Sequence, residues 1–179
     1  MSHTDDFVLD IGEIREKARK DVLDGAQTST YTGDIGTVIR LLNEALATEL
    51  VCVLRYKLHH YVARGIQSEA IAAEFEVHAA QEMEHADKLA ARIVQLGGKP
   101  DFSPKGLSDR AHSDYVEVDT LHEMIRENLV AERIAIDVYR ELVRFIADKD
   151  PTTRRLLEDI LAVEEEHADE LADWLVKTK

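Results

Sequence analysis

The sequence holds a single cysteine, Cys52, among 179 residues. An internal disulfide is therefore excluded, and the thiol count fits a reducing compartment. Only 3 prolines and 8 glycines punctuate the chain, which suits a protein that is mostly helix with few breaks. No apolar run approaches the roughly twenty residues of a membrane span. Basic side chains are outnumbered, 22 against 36 acidic ones, for a formal charge of −14. A surplus of this sign repels a nucleic-acid backbone and attracts small cations. Residues Met1 to Asp10 are acidic and lack a basic segment followed by an apolar one, so no secretory signal is read there. The expectation is a soluble, cytoplasmic protein with no membrane partner and DNA disfavoured, long enough to bury a real core.

What is present is a repeat. The stretch from Glu82 to Ala90 returns from Glu164 to Ala172 with Glu, Glu, His, Ala, Asp, Leu and Ala at matching positions. Each copy carries a carboxylate three residues before an imidazole, Glu82 with His85 and Glu164 with His167, which places the two on one helical face. Upstream of the copies stand Glu49, followed by Tyr56, and Glu132, followed by Tyr139. The spacings from lone Glu to motif are 82 − 49 = 33 and 164 − 132 = 32 residues. Each half thus reads as a helical hairpin carrying one lone Glu and one Glu-x-x-His.

Asp34 is a good N-cap for a first long helix to about Arg64, with Gly65 closing it. Its inward stripe reads Val38, Leu42, Ala45, Glu49, Cys52 and Tyr56. A second helix from Ser68 to the Gly97-Gly98 stop carries Ile71, Phe75, His78, Glu82, His85, Leu89 and Ile93. The pattern is then lost to Val118, around Pro100, Pro104 and Gly106. Helices of about thirty residues span roughly 45 Å, and some twenty extended residues cover that distance. The connection can therefore run the length of a bundle. Thr120 to Glu123 is a capping box opening a third helix with Leu121, Ile125, Asn128, Glu132, Tyr139, Val143 and Ile146 on its stripe. Asp150-Pro151 opens the fourth, through Leu157, Ile160, Glu164, His167, Leu171 and Trp174. The fold expected is all-α: a four-helix bundle with a long crossover between the second and third helices, preceded by an N-terminal extension over residues 1–34 and occupying 35–179. In the extension, Ile11, Ile14, Ala18 and Val22 recur at helical spacing, as for a short helix docked on the bundle or on a neighbouring subunit.

Four glutamates and two histidines inside an apolar bundle cannot stay unpaired, because buried carboxylates cost several kcal/mol and repel one another. Two divalent ions bring four positive charges to four negative ones. An oxygen-rich set without thiolates suits iron or manganese better than structural zinc. Carboxylates can bridge, so Glu82 and Glu164 are the expected bridges, with Glu49 and His85 completing one ion and Glu132 and His167 the other. This is the ligand pattern described for di-metal carboxylate bundles.

On these residues, positions 36 to 175 resemble the ferritin-like superfamily. The segments Leu41-Leu42-Asn43 to Tyr56 and Glu82 to Asp87 are similar to bacterioferritin, and Asp148 to His167 is similar to Dps-like proteins with a bacterioferritin-type site. The resemblance implies a ferroxidase centre that oxidises ferrous iron with dioxygen or peroxide and passes ferric iron to a mineral core in a hollow homo-oligomer. It carries over Glu49, Glu82, His85, Glu132, Glu164 and His167 as ligands and Tyr56 as a supporting tyrosine. Met83 falls where bacterioferritin supplies an axial methionine to haem b between two subunits; methionine is also an ordinary packing residue. Only twelve residues follow His167, which with the extended N-terminus favours a dodecamer over a 24-mer. The cysteine pair of thioferritins aligns with His112 and Ile134. Alternatives within the resemblance are a di-iron or di-manganese peroxide scavenger of rubrerythrin or manganese-catalase type, and a Dps-like DNA protector. The missing Cys-x-x-Cys module weakens rubrerythrin, and the acidic leader and net charge weaken DNA protection. His78, one turn before Glu82, reads either as a transit metal site or as a hydrogen-bonded histidine of the bundle. Cys52 reads first as a small buried group, and His59, His60 and His122 as surface residues.

Overall fold

The computed structural model describes residues 8–66 and 68–177. The first seven residues, which carry much of the reading of no secretory signal, and the last two lie outside the described residues. The elements in order are α1 (Ile11–Lys17), a 3-10 turn (Val22–Asp24), α2 (Ile35–Val62), α3 (Ser68–Gln95), α4 (Leu107–Arg110), α5 (Leu121–Ile146) and α6 (Pro151–Lys177). Among the described residues all regular structure is helical, and no helix is long and apolar enough to cross a membrane.

The helix ends follow the local chemistry. Asp34 accepts from the Thr37 amide at 3.2 Å and starts α2. Thr120 accepts from the Glu123 amide at 3.2 Å, the N-cap bond of α5, while its hydroxyl donates to the Glu123 carboxylate at 2.7 Å. Asp150 accepts from the Thr153 amide at 2.9 Å at the head of α6. Beyond α3, Gly97 adopts φ +75°, and a Cβ on Gly98 would lie 2.8 Å from Ile39, so both positions of this stop need glycine.

The four long helices form two hairpins, α2 packed on α3 and α5 on α6, which meet through α2 with α5 and α3 with α6. The crossover runs along α2 for most of its length. Asn43 bonds the Asp101 amide at 2.8 Å, Thr48 the His112 amide at 2.9 Å, and Arg55 the Asp114 carbonyl at 2.9 Å. The short α4 lies within it.

Two apolar clusters cap the bundle's middle. One includes Val38, Leu42, Leu89, Ile93, Leu142, Leu157 and Ile160; the other includes Ile71, Phe75, Met124, Ile125 and Leu171. Each fully buried side chain of this size contributes roughly 1.5–3 kcal/mol, and together they hold the polar layer between them.

Two expectations are corrected. The helix in the leader ends at Lys17, and none of its residues is buried; Ile11 and Ile14 remain about half exposed. It is therefore not buried on its own bundle, and of the two placements expected for it the neighbouring subunit stays open. His59 is fully buried, not a surface residue, with Nδ1 3.0 Å from the Asn128 amide nitrogen.

Candidate metal centre

The helical stripes bring all six sequence-derived ligands to one place. Glu49 comes from α2, Glu82 and His85 from α3, Glu132 from α5, and Glu164 and His167 from α6. None is more than 2 % exposed. Glu165 and Glu166, next in the same acidic run, face solvent, because only Glu164 shares the His167 face.

The side chains sort into two overlapping groups. Glu49, Glu82, His85 and Glu164 each offer a ligand atom within 4.8 Å of the others, and so do Glu82, Glu132, Glu164 and His167. Glu82 and Glu164 belong to both. His85 Nδ1 lies 3.1 Å from Glu164 Oε1, 3.3 Å from Glu82 Oε2 and 3.5 Å from Glu49 Oε2. His167 Nδ1 lies 3.4 Å from Glu164 Oε2, 3.5 Å from Glu82 Oε1 and 4.0 Å from Glu132 Oε2. The two imidazoles thus face the carboxylates from opposite ends of the shared pair.

Behind the ligands stand two tyrosines in a reciprocal arrangement. The Tyr56 hydroxyl donates to Glu132, and the Tyr139 hydroxyl donates to Glu49. Each lone glutamate is therefore held by the phenol of the opposite hairpin. Burial first, and the neighbouring carboxylates next, push both phenols well above their ordinary range, so both stay neutral donors. His167 Nε2 meets Gln81 Oε1 at 3.0 Å, which directs Nδ1 to the centre. Sequence reading assigned Tyr56 a supporting role but neither Tyr139 nor Gln81. The equal seven-residue step from each lone Glu to its Tyr was the available signal for Tyr139; nothing in the pattern marks Gln81.

Without a cation the layer settles its charge with protons. Burial and then the charges of Glu164 and Glu82 raise Glu49 well above the carboxylate range. Burial and then Glu82 and Glu164 do the same to Glu132. Burial alone would raise Glu82, but its close polar contacts with His167, His85 and Glu49 outweigh it and hold this carboxyl below its usual range. Burial opposes charge on the imidazoles too, yet the carboxylates around them raise His85 to about 12 and His167 to about 10. Even so, Glu82 Oε1, Glu132 Oε2, both oxygens of Glu164 and His167 Nδ1 are buried without a hydrogen-bond partner. Orphaned atoms converging from three helices, nearly all oxygen with imidazole nitrogen, fit a pair of hard or borderline divalent cations.

The remaining candidates sit around this layer. Met83 is 38 % exposed on the surface of α3, outside the centre. Cys52 is buried; burial raises its thiol well above the ordinary value, against the pull of Arg55. Arg55, also buried, donates to Asn128 Oδ1 on α5 at 2.9 Å and to the Asp114 carbonyl of the crossover at 2.9 Å, tying both to α2. His112 Nδ1 lies 3.0 Å from the Thr48 hydroxyl. His78 is fully buried with its ring stacked on His167, centroids 4.0 Å apart. Burial and then His167 lower its pKa to about 4.

Comparison with known proteins agrees with this layout. The Ferritin-like domain family matches residues 39–179. A DNA protection during starvation protein of Pyrococcus furiosus is 31% identical over 137 residues, covering 75% of this chain and 74% of that protein. A bacterioferritin of Mycobacterium bovis is 33% identical over 139 residues, covering 77% and 83%. Among solved structures, a dodecameric thioferritin, the bacterioferritin-related protein from Bacteroides fragilis, superposes with a TM-score of 0.78 at 34% identity, covering 81% of this chain and 88% of that one. With the repeat, the bundle and these matches in agreement, the chain belongs to the ferritin-like family.

Proposed function

We propose that this protein oxidises ferrous iron at the paired centre and stores the ferric product inside a hollow homo-oligomer. The observation that carries the reading is the sharing of Glu82 and Glu164 between two four-ligand groups, each completed by its own glutamate and histidine. Such a layer binds two ferrous ions side by side as substrates. One is taken by Glu49, Glu82, His85 and Glu164, the other by Glu82, Glu132, Glu164 and His167. Two ferrous ions release two electrons, enough to reduce dioxygen to peroxide, or peroxide to water, with uptake of two protons. The chain's own contribution is to orient the carboxylates through Tyr56 and Tyr139, to release the protons held by His85 and His167, and to exclude bulk water between two apolar clusters.

The relatives support an assembled store: the thioferritin of Bacteroides fragilis is dodecameric, and a dodecamer is the assembly we propose. Haem b at Met83 would require a second copy across the α3 surface. Bound DNA is disfavoured by the charge of −14. The decisive experiment is Glu82→Ala. The variant should assemble and retain its helical content while losing rapid ferrous oxidation, and unchanged oxidation would reject the shared-carboxylate assignment. Assembled mass with iron loading separates a store from a small peroxide-consuming enzyme.

A further inference from the structure

A third group of ligand-type side chains lies beside the centre: Glu74, His78 and Glu170 each place a ligand atom within 4.8 Å of the others. His78 is completely buried, whereas the side chains of Glu74 and Glu170 are 29% and 42% exposed. His78 Nε2 lies 2.9 Å from Glu170 Oε2 and 3.5 Å from Glu74 Oε1. A fourth group, His78 with Glu132 and His167, meets the same distance criterion. It links the outer trio to the second ion position through side chains they share. Within it, Glu132 Oε2 and His167 Nδ1 are among the buried atoms that lack a hydrogen-bond partner. From solvent inward, ligand groups therefore overlap stepwise: Glu74 and Glu170, then His78, then Glu132 and His167.

Hydrogen-bond accounting points the same way. The Tyr56 phenol has one proton and donates it to Glu132. Its oxygen also meets His78 Nδ1 at 3.2 Å, a contact that places a proton on Nδ1. Nε2 is the atom turned toward the two carboxylates, Glu170 Oε2 at 2.9 Å and Glu74 Oε1 at 3.5 Å. Two carboxylate oxygens and one imidazole nitrogen converge there, a donor set that a divalent first-row cation satisfies.

We infer that Glu74, His78 and Glu170 form an outer site for a divalent first-row metal ion, through which ferrous ions reach the Glu132–His167 position. The inference rests on the paired-centre reading above. His78 serves both sides: its Nε2 takes the incoming ion, and its ring is stacked on the ligand that receives it. The exposed carboxylates raise the local cation concentration at the mouth of this route.

The test uses the full-length assembled protein and the double variant Glu74→Gln/Glu170→Gln, which changes only half-exposed side chains and leaves His78 and Tyr56 in place. Crystals soaked in Mn2+ should show three anomalous peaks per chain in the wild type and two in the variant, both at the paired centre. At ferrous concentrations well below saturation, the variant should oxidise iron about tenfold more slowly, with the same rate at saturation. Wild-type crystals with the pair filled and no outer peak would overturn the site. An outer peak combined with an unchanged rate in the variant would overturn the transit role. An outer peak with the paired positions empty would instead sink the paired-centre reading and with it the destination of the route.

Discussion

Replacing Glu164 with Met should shift stability in opposite directions with and without a divalent cation. Both carboxylate oxygens of Glu164 are buried and lack a hydrogen-bond partner, and a buried unsatisfied polar group costs about 1–3 kcal/mol. Burial and, after it, neighbouring charges that include Glu164 hold Glu49 and Glu132 above the carboxylate range, so removing Glu164 lets one of them ionise in its place, and Glu49 and Glu82 remain to pair with His85. Methionine fills a similar volume with no polar demand. The metal-free variant should therefore gain about 2 kcal/mol, or roughly 4–8 °C in Tm at this chain length. Saturating cation reverses the order. At a hundredfold excess over Kd each bound ion adds about 2.7 kcal/mol, and on the proposed reading the wild type would hold two. Because Glu164 belongs to both ligand groups, the variant forfeits most of that gain. Thermal unfolding in EDTA and in excess Mn2+, on assemblies of equal mass, reads both arms. A metal-free variant that melts below the wild type, or one that binds two ions with wild-type affinity, would refute the reasoning.

Cation binding should release protons. His85 and His167 are raised to about 12 and about 10, so both carry a proton at pH 7 that a metal must displace. Affinity should rise with pH, and calorimetry in buffers of different ionisation enthalpy should count about two or more protons per ion pair. Tyr139→Phe frees Glu49 and should weaken one ion position about 10- to 100-fold while sparing the other. Tyr56→Phe should do the same to the Glu132 position, so two-step binding isotherms of the two variants should be complementary. Asp150 is 3 % exposed, receives Arg92 Nη2 at 2.9 and 3.0 Å, and is held below the ordinary carboxylate range: burial is outweighed by bonds from Thr153, Arg92 and Tyr31. Asp150→Asn should cost about 3 kcal/mol near neutrality. A depressed folded pKa contributes stability above the unfolded value of about 4 and loses it as pH falls through the lower, folded value. The gap in denaturation midpoint should accordingly narrow in acid.

The parts of the fold and centre legible in the sequence were those written locally. Asp34, Thr120 and Asp150 announced helix starts because an N-cap needs only the next three residues. The six candidate ligands stood out because a Glu-x-x-His occurs twice, each time with a lone Glu upstream at nearly equal distance. The partners of those groups were not local. Tyr56 reaches Glu132, 76 residues away, not Glu49 on its own helix. Arg55 and His59 meet across Asn128, 73 and 69 residues away, and nothing in a helical stripe foretells a buried guanidinium tied to a loop carbonyl. The leader shows the complementary failure. Period alone does not say what an apolar face covers, and α1 leaves Ile11 and Ile14 in the open.

The crossed tyrosines make the halves interdependent. A lone hairpin could offer an ion three of its four ligands, Glu49, Glu82 and His85 or Glu132, Glu164 and His167, and would lack the phenol that steadies its own solitary glutamate. Two such hairpins facing one another would each repair the other's deficiency. The repeat in this chain thus joins two hairpins that each supply what the other lacks, with the crossover along α2 as the tether between them.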